Sequence, residues 1–328
     1  MKRILLTATL ALGMITLSSP SRAEVRGVLV YSGMCDASAG VAVDVDRFLV
    51  ANDEDNVLRL FSRSRPGGPL ATVDLSPHLA LKKRSAETDL EGAARIGDRV
   101  YWITSHGRNA AGKAAPSRHR FIATQIHATP GTIGLQPVGR PYENLVDDLD
   151  RDARYAPWAL AAAARRAPKE PGALNIEGLC DTGGGGVWIG FRNPIPGGRA
   201  LLAGLLNPEG VGLGEPARFD DPVLLDLDGL GVRDLARVGD RIWIIAGPFD
   251  GGGPFQLYEW RGRQDVPRRL DSSGFGTLKP EALLTFPGSE SDRVLMLSDD
   301  GSVKIDGVEA KKLKDPRRRR FRALPLDL

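Results

Sequence analysis

Cysteine is scarce in this chain. Only 2 of the 328 residues are cysteine, which excludes a small fold built on a framework of disulfides. Hydrophobic residues make up 42% and charged residues 26%, a composition typical of a folded chain and not of a disordered one. The 39 glycines and 23 prolines favour many turns, and therefore many short strands.

Several catalytic motifs are also missing. The sequence contains no Gly-x-Ser-x-Gly nucleophile elbow and no His-Glu-x-x-His metal helix. The glycine run 183–186 is not followed by Lys-Ser or Lys-Thr, so it predicts a turn and not a phosphate-binding loop. Any catalytic site must therefore be assembled from residues that lie far apart in the sequence.

Long apolar runs are absent after the first 17 residues, which excludes a membrane-spanning helix in the rest of the chain. Residues 1–23 have a positive start, an apolar run at 4–17 and small residues before Ala23, the pattern of a secretory signal peptide cleaved near Ala23. We expect the mature chain, 24–328, to be periplasmic or secreted. Without Lys2, Arg3 and Arg22 its 41 acidic residues are matched by 41 basic ones, so the charge predicts no nucleic-acid partner.

An internal repeat organises the mature chain. The heptapeptide 94–100 (ARIGDRV) returns at 236–242 as ARVGDRI, and its Asp-Arg-apolar core recurs at 46–48 and 292–294. A fifth copy replaces the Asp-Arg turn with glycines at 184–186. Each unit contains up to four short apolar runs separated by polar turns, and four-strand units about 50 residues apart are typical of a β-propeller.

The repeats predict an all-β fold, a single five-bladed propeller over 24–328, with six blades as the alternative. In the last blade the third strand is predicted at 302–305. Either 26–31 or 321–326 could close the ring, and the sequence leaves that choice open. Residues 143–170 are rich in Leu, Ala, Asp and Arg and predict a short helical insertion between blades 2 and 3, because Pro168 and Pro171 end the helical pattern.

Acidic residues recur where the blades begin. The positions are Glu91 in blade 2, Glu177 in blade 3, Asp234 in blade 4 and Glu281 in blade 5. Carboxylates that converge at one mouth of the channel repel each other unless a cation or several hydrogen-bond donors compensate. The set therefore predicts either a site for a divalent cation such as calcium or structural ties, in which each acid accepts backbone N–H groups of a neighbouring blade.

Polar and basic residues fill the loops that follow the second strands, which open on the same mouth. His106, or His119, has the side chain of a general base near neutral pH. Charge-assisted and amide donors for a small anionic ligand are predicted at Arg108, Asn109, Lys113, Arg118, Arg192 and Asn193. The helical insertion is expected to overhang this face as a partial lid.

Two further features have alternative interpretations. Cys35 and Cys180 could form a disulfide after export, although they belong to blades 1 and 3. Residues 311–322 contain eight basic side chains, which could contact an anionic membrane surface or form a solvated loop.

These motifs resemble a known family. The segments DLEG (89–92), SHGRN (105–109), NIEGL (175–179), GFRNP (190–194) and GVRDLA (231–236) are similar to those of uncharacterised bacterial proteins classified only as a domain of unknown function. That resemblance implies a propeller-like fold and no established activity. The Glu-Gly blade openings are more distantly similar to phytase-like esterase propellers.

Two functions follow as hypotheses. The first is a binding or scaffold protein, expected to be a monomer, whose channel mouth holds a cation, a small anionic ligand or a partner protein. The second is a metal-assisted hydrolase of phosphate or ester substrates, in which His106 transfers protons and Arg108, Arg118 and Arg192 bind the anion.

Overall fold

The chain forms a five-bladed β-propeller. The structure is a computed structural model that describes residues 24–25, 27–83, 86–129, 132–288 and 293–327; the predicted signal peptide, 1–23, lies outside the described residues. Among the described residues, five antiparallel sheets of four or five strands form the blades, and a sixth sheet is a two-stranded hairpin. The prediction of an all-β propeller is confirmed, and its alternative of six blades is wrong.

The first four blades are consecutive four-stranded sheets. Blade 1 consists of Ala37–Ala42, Arg47–Asn52, Val57–Ser62 and Ala71–Asp74. Blade 2 consists of Leu90–Ile96, Arg99–Thr104, Phe121–Thr129 and Thr132–Tyr142. Blade 3 consists of Asn175–Asp181, Val187–Asn193, Ala200–Leu205 and Val223–Leu225. Blade 4 consists of Gly231–Val238, Arg241–Gly247, Gln256–Trp260 and Arg268–Leu270. In every blade the first strand contacts the first strands of the two neighbouring blades, so these strands surround the central channel.

Blade 5 joins the two ends of the chain. Its strands are Pro280–Thr285, Arg293–Ser298, Arg320–Asp327, Leu29–Ser32 and the short Glu24–Val25. Both predicted closing segments therefore belong to the blade, as neighbours and not as competitors. The prediction of a third strand at 302–305 is wrong, because Lys304–Ile305 pairs with Val308–Glu309 in a separate hairpin.

Aromatic side chains pack together where the N-terminal and C-terminal strands meet and stabilise the closed ring. Tyr31 of the N-terminal strand stacks on Phe321 of the C-terminal strand, with ring centroids 5.0 Å apart. Phe48 and Phe61 of blade 1 pack against Tyr31 with centroids 5.4 Å away. All four side chains are fully buried, and such ring pairs add stability beyond their burial. The ring is thus closed by packing as well as by strand pairing.

The repeated heptapeptide has a structural explanation. Gly97 and Gly239 adopt φ of +62° and +61°, which the tight turns between first and second strands require. Arg95 donates from Nη1 to the carbonyl oxygen of Ala42 in blade 1 at 2.9 Å, and Arg237 donates to that of Thr182 in blade 3 at 2.9 Å. The repeated heptapeptide therefore encodes a turn together with an arginine that ties blade 2 to blade 1 and blade 4 to blade 3.

The predicted helical insertion is present between blades 2 and 3. It contains the helix Leu145–Arg151, the 3₁₀ turn Ala156–Trp158 and the short helix Leu160–Ala163. Leu145, Leu149 and Leu160 are fully buried in a core shared with blades 2 and 3. A third short helix, Pro208–Gly212, lies inside blade 3. Within the described residues, no helix has the length and apolar character needed to cross a membrane.

Candidate functional site

The same irregularity occurs in the first strand of every blade. Where the first strand pairs with the second, one residue is skipped and forms a β-bulge. The five skipped residues are Ser38, Glu91, Glu177, Arg233 and Glu281. A bulge redirects a side chain out of the regular alternation. We call these five positions the mouth ring.

Arg233 supplies a positive charge inside the mouth ring. Its Nε lies 2.8 Å from Oε2 of Glu177 in blade 3, and its Nη2 forms an ion pair with Oε1 of Glu281 in blade 5. The side chain is buried, so water screens these charges only weakly. Two of the three ring carboxylates are therefore compensated by a residue of the protein itself. The acid predicted from the sequence for blade 4, Asp234, is the residue that follows Arg233.

Asp234 forms a structural tie. Its carboxylate accepts a hydrogen bond from the backbone N–H of Leu283 in blade 5 at 2.6 Å, and the side chain is buried. Burial raises the pKa of Asp234 well above its usual range, while this and other backbone N–H groups act in the opposite direction. The structure thus places Asp234 between two blades, in the arrangement of the structural alternative.

Arg192 forms a second ion pair with Glu177. Its Nη1 lies 2.6 Å from Oε1 of Glu177, and its Nε donates to the carbonyl oxygen of Phe249 in blade 4 at 2.8 Å. Arg118 is used in a similar way, with Nη1 2.6 Å from Asp89 and Nη2 2.6 Å from Glu87. Two of the three guanidinium groups predicted to hold an anion, those of Arg118 and Arg192, are thus bound to the protein's own carboxylates.

Glu91 is the uncompensated member of the mouth ring. Its side chain is only 9% exposed, and within the described ranges it forms no hydrogen bond or ion pair. Burial, then the nearby Asp89 and Glu177, raise the pKa of Glu91 well above its usual range. The raised pKa of Asp89, about 7, also comes mainly from burial, which outweighs the opposing effect of Arg118. The channel mouth therefore contains a buried carboxyl group, that of Glu91, to which no basic side chain is directly paired within the described residues.

A second acidic group lies beside the ring, between blades 1 and 5. Asp36, Asp53 and Glu54 each offer a carboxylate oxygen within 4.8 Å of the other two. Oδ1 of Asp53 is buried and has no hydrogen-bond partner in the described chain. Burial raises the pKa of Asp36 to about 6 and that of Asp53 well above its usual range. We call these three residues the acidic triad.

The acidic triad has only partial compensation. Nζ of Lys311 lies 2.8 Å from Oε1 of Glu54, and Sγ of Cys35 donates to Asp36 at 2.9 Å. Asp299 pairs with Asp36 in an isolated β-bridge and adds a further negative charge nearby. Sequence reasoning did not select the triad, although the loop 52–56 (NDEDN) is a visible signal: three consecutive acids in a loop at the mouth.

His106 occupies a different environment. It is fully buried, its Nδ1 lies 2.7 Å from the carbonyl oxygen of Thr104, and its ring packs edge-on against His119 with centroids 5.5 Å apart. Burial, then His119, lowers the pKa of His106 to about 3. Because Nδ1 faces a carbonyl, it carries the proton and the ring is neutral. The groups that shift its pKa are His119, Thr104 and Arg120, not the carboxylates of the mouth ring.

The remaining predicted ligand residues hold loops in place. The backbone N–H of Asn109 donates to the carbonyl oxygen of Lys113 at 3.1 Å, which closes the loop, and Arg108 donates to that of Gly112 at 2.9 Å. Nδ2 of Asn193 donates to the carbonyl oxygen of Glu170 at 2.8 Å and so fastens the insertion. The structure does not bring these residues together with Glu91.

The two cysteines do not pair. Cys35 and Cys180 are both free thiols and both buried. Burial raises the pKa of each thiol. The disulfide considered from the sequence is therefore absent.

Comparisons with known proteins agree with this fold. The glutaminyl cyclase of Myxococcus xanthus is 14% identical, with a TM-score of 0.50 over 94% of this chain and 99% of that one. The PQQ-bound aldose sugar dehydrogenase of Streptomyces coelicolor is 14% identical, with a TM-score of 0.46 over 94% and 99%. At such identities the first of these likenesses shows the fold alone. No curated protein matches the chain.

One family does match. Residues 134–294, which run from the outer strand of blade 2 into blade 5, match the model described as "Protein of unknown function (DUF3616)". The resemblance to an uncharacterised, propeller-like family is thereby confirmed.

Proposed function

We propose that this protein is an exported binding or scaffold propeller that holds a divalent cation such as calcium in the acidic triad of Asp36, Asp53 and Glu54. The observation that carries the proposal is the buried and unpartnered Oδ1 of Asp53, which lies within a group of three converging carboxylates. Hard cations favour oxygen ligands, and Ca²⁺ accepts six to eight of them from carboxylates, carbonyls and water.

The proposed cation site differs from the acidic residues of the blade openings that the sequence predicted. Glu177 and Glu281 already form ion pairs with Arg233, and Asp234 accepts a backbone N–H. An additional cation between Glu177 and Glu281 would have to displace the guanidinium group that compensates them. The acidic triad has one ammonium group, Lys311, for three carboxylates, so positive charge is still needed there.

The hydrolase alternative receives less support from the geometry. A general base must reach the substrate's proton and titrate near the working pH. His106 is fully buried against His119 and has a pKa lowered to about 3. Arg118 and Arg192, which would bind the anion, are engaged by carboxylates. We therefore propose binding and not hydrolysis.

The test is metal binding by the mature chain, residues 24–328. After treatment with a chelator, titration with Ca²⁺ should release or absorb measurable heat and raise the melting temperature. Asp53→Asn should lose most of both effects, because it removes the charge of the buried ligand. Asp98→Asn is the matched control, since Asp98 is 70% exposed on a turn at the other end of blade 2. A chelated protein whose melting temperature responds to neither Ca²⁺, Mg²⁺ nor Mn²⁺ would overturn the proposal.

A further inference from the structure

A cleft separate from the mouth ring and the acidic triad is formed by the helical insertion and the loop that follows the second strand of blade 2. Its volume is about 380 Å³, and it is lined by side chains of both segments, including Arg108 and His119 from the loop and Asp147 and Arg165 from the insertion. Clefts that bind small molecules begin at about this volume. The acidic triad and the mouth ring contribute no residue to it.

Arg108 brings a guanidinium group to this cleft that is only partly engaged by the protein. Its Nη1 is held by the carbonyl oxygen of Gly112 at 2.9 Å, which fixes the guanidinium group. Its Nε is buried and has no acceptor among the described residues. The side chain as a whole is only half-buried, so the exposed part of the guanidinium group lines the cleft. The guanidinium fork is suited to a carboxylate or a phosphate.

The other charges of the cleft distinguish between these anions. The side chains of Asp147 and Arg165 form no hydrogen bond or ion pair with any residue in the described ranges, whereas Glu143 lies 3.1 Å from Arg120. The cleft therefore offers two guanidinium groups and one free carboxylate. A phosphate would be repelled by Asp147, but a zwitterion would satisfy both signs of charge.

Several of the other lining residues are alanines. Ala115 comes from the loop, Ala161 from the second helix of the insertion, and Ala164 directly follows that helix. Methyl groups leave room for a ligand but can enclose only short side chains. We propose that this cleft binds a short peptide of small residues, with the terminal carboxylate on Arg108 and Arg165 and the terminal ammonium on Asp147.

The experiment uses calorimetry on the mature chain with L-alanyl-L-alanine and two blocked analogues. The free dipeptide should bind, whereas its C-terminal amide and its N-acetyl derivative should each bind at least about tenfold more weakly. Arg108→Lys keeps the positive charge and loses the planar guanidinium fork, so it should reduce the discrimination against the amide. Asp147→Asn should reduce the discrimination against the N-acetyl derivative.

Two further variants distinguish a loss of binding from a loss of folding. Arg151→Gln is the matched control, because Arg151 lies on the same helix as Asp147 and its side chain is 72% exposed outside the cleft; it should bind the dipeptide as the natural chain does. Ala161→Phe should fill the cleft and abolish binding, with an unchanged circular dichroism spectrum. Equal binding of all three compounds, or no measurable heat at millimolar dipeptide, would overturn the inference. Because no residue is shared with the acidic triad, a failure here leaves the calcium proposal standing.

Discussion

Nε of Arg233 lies 2.8 Å from Oε2 of Glu177, and both side chains are almost completely buried. This contact joins the first strands of blades 3 and 4, and the ion pair of the same guanidinium group with Glu281 extends it to blade 5. An interior arginine thus provides the positive charge that the converging carboxylates require.

Replacing Arg233 should therefore destabilise the propeller strongly. Arg233→Met keeps much of the apolar stem but leaves Glu177 and Glu281 without their shared partner. Removing one member of a buried ion pair costs about 3–5 kcal/mol. Urea unfolding at pH 7 measures the loss, and Arg317→Gln, at a side chain 90% exposed, is the control that should change little. A loss below 1 kcal/mol would show that the ring carboxylates do not depend on Arg233.

Removing Asp234 tests its role as a tie. Asp234→Ala leaves the N–H of Leu283 buried without its acceptor, so the free energy of unfolding should fall by about 1–3 kcal/mol. The affinity for Ca²⁺ should remain unchanged, because Asp234 lies outside the acidic triad. Calorimetry and urea unfolding on the same variant separate the two effects. A large loss of Ca²⁺ affinity in a folded Asp234→Ala protein would instead return Asp234 to the cation site.

Glu91 should make stability fall as the pH rises. Its pKa in the folded chain is raised by burial, whereas an unfolded chain has a glutamate pKa of about 4.3. Between these values the folded state binds the additional proton, so the contribution to stability is complete below about pH 4 and is lost as the pH rises through the folded-state pKa.

Comparing Glu91→Gln with the natural chain isolates this contribution. Glutamine does not titrate, so the free energy of unfolding of the variant should decline less between pH 5 and pH 8. Glu209→Gln, at an exposed glutamate in blade 3, should keep the slope of the natural chain. Parallel slopes for Glu91→Gln and the natural chain would contradict the prediction.

Both cysteines should be protected thiols. Cys35 and Cys180 are free and buried, and burial raises the pKa of each, which lowers the fraction of reactive thiolate. The native protein should react slowly with a thiol reagent such as DTNB, and the protein in guanidinium chloride should release two equivalents of the reporter. Detection of no thiol in the denatured, non-reduced protein would indicate a disulfide.

The blades could be predicted because their signals are local. Turn glycines such as Gly97 and Gly239, and the apolar runs on either side of them, lie within a few residues of each other. The strands of the last blade were harder to predict, since a long connection that contains the hairpin 304–309 separates its second strand from its third. Its fourth strand comes from the other end of the chain, a pairing that no local pattern encodes.

The candidate site depended on contacts that the sequence does not display. The likeness of the blade openings suggested Asp234, but the bulge in blade 4 places Arg233 in the mouth ring. The arginines of the loops were visible as a basic group, yet Arg118 and Arg192 form ion pairs with acidic residues of the protein, namely Glu87, Asp89 and Glu177. Which charge meets which carboxylate depends on distances across blades.

By itself the sequence determined the repeat, the helical insertion and the recurrence of acids at the blade openings, and it favoured five blades over six, because each follows from patterns a few residues long and from their spacing. The tertiary structure decided which side chain each bulge directs into the ring, which acids are compensated and that the carboxylates of Asp36, Asp53 and Glu54 come together. The physical reason is that a one-residue shift in strand pairing and a change of a few ångströms between charges determine the electrostatics of a buried site.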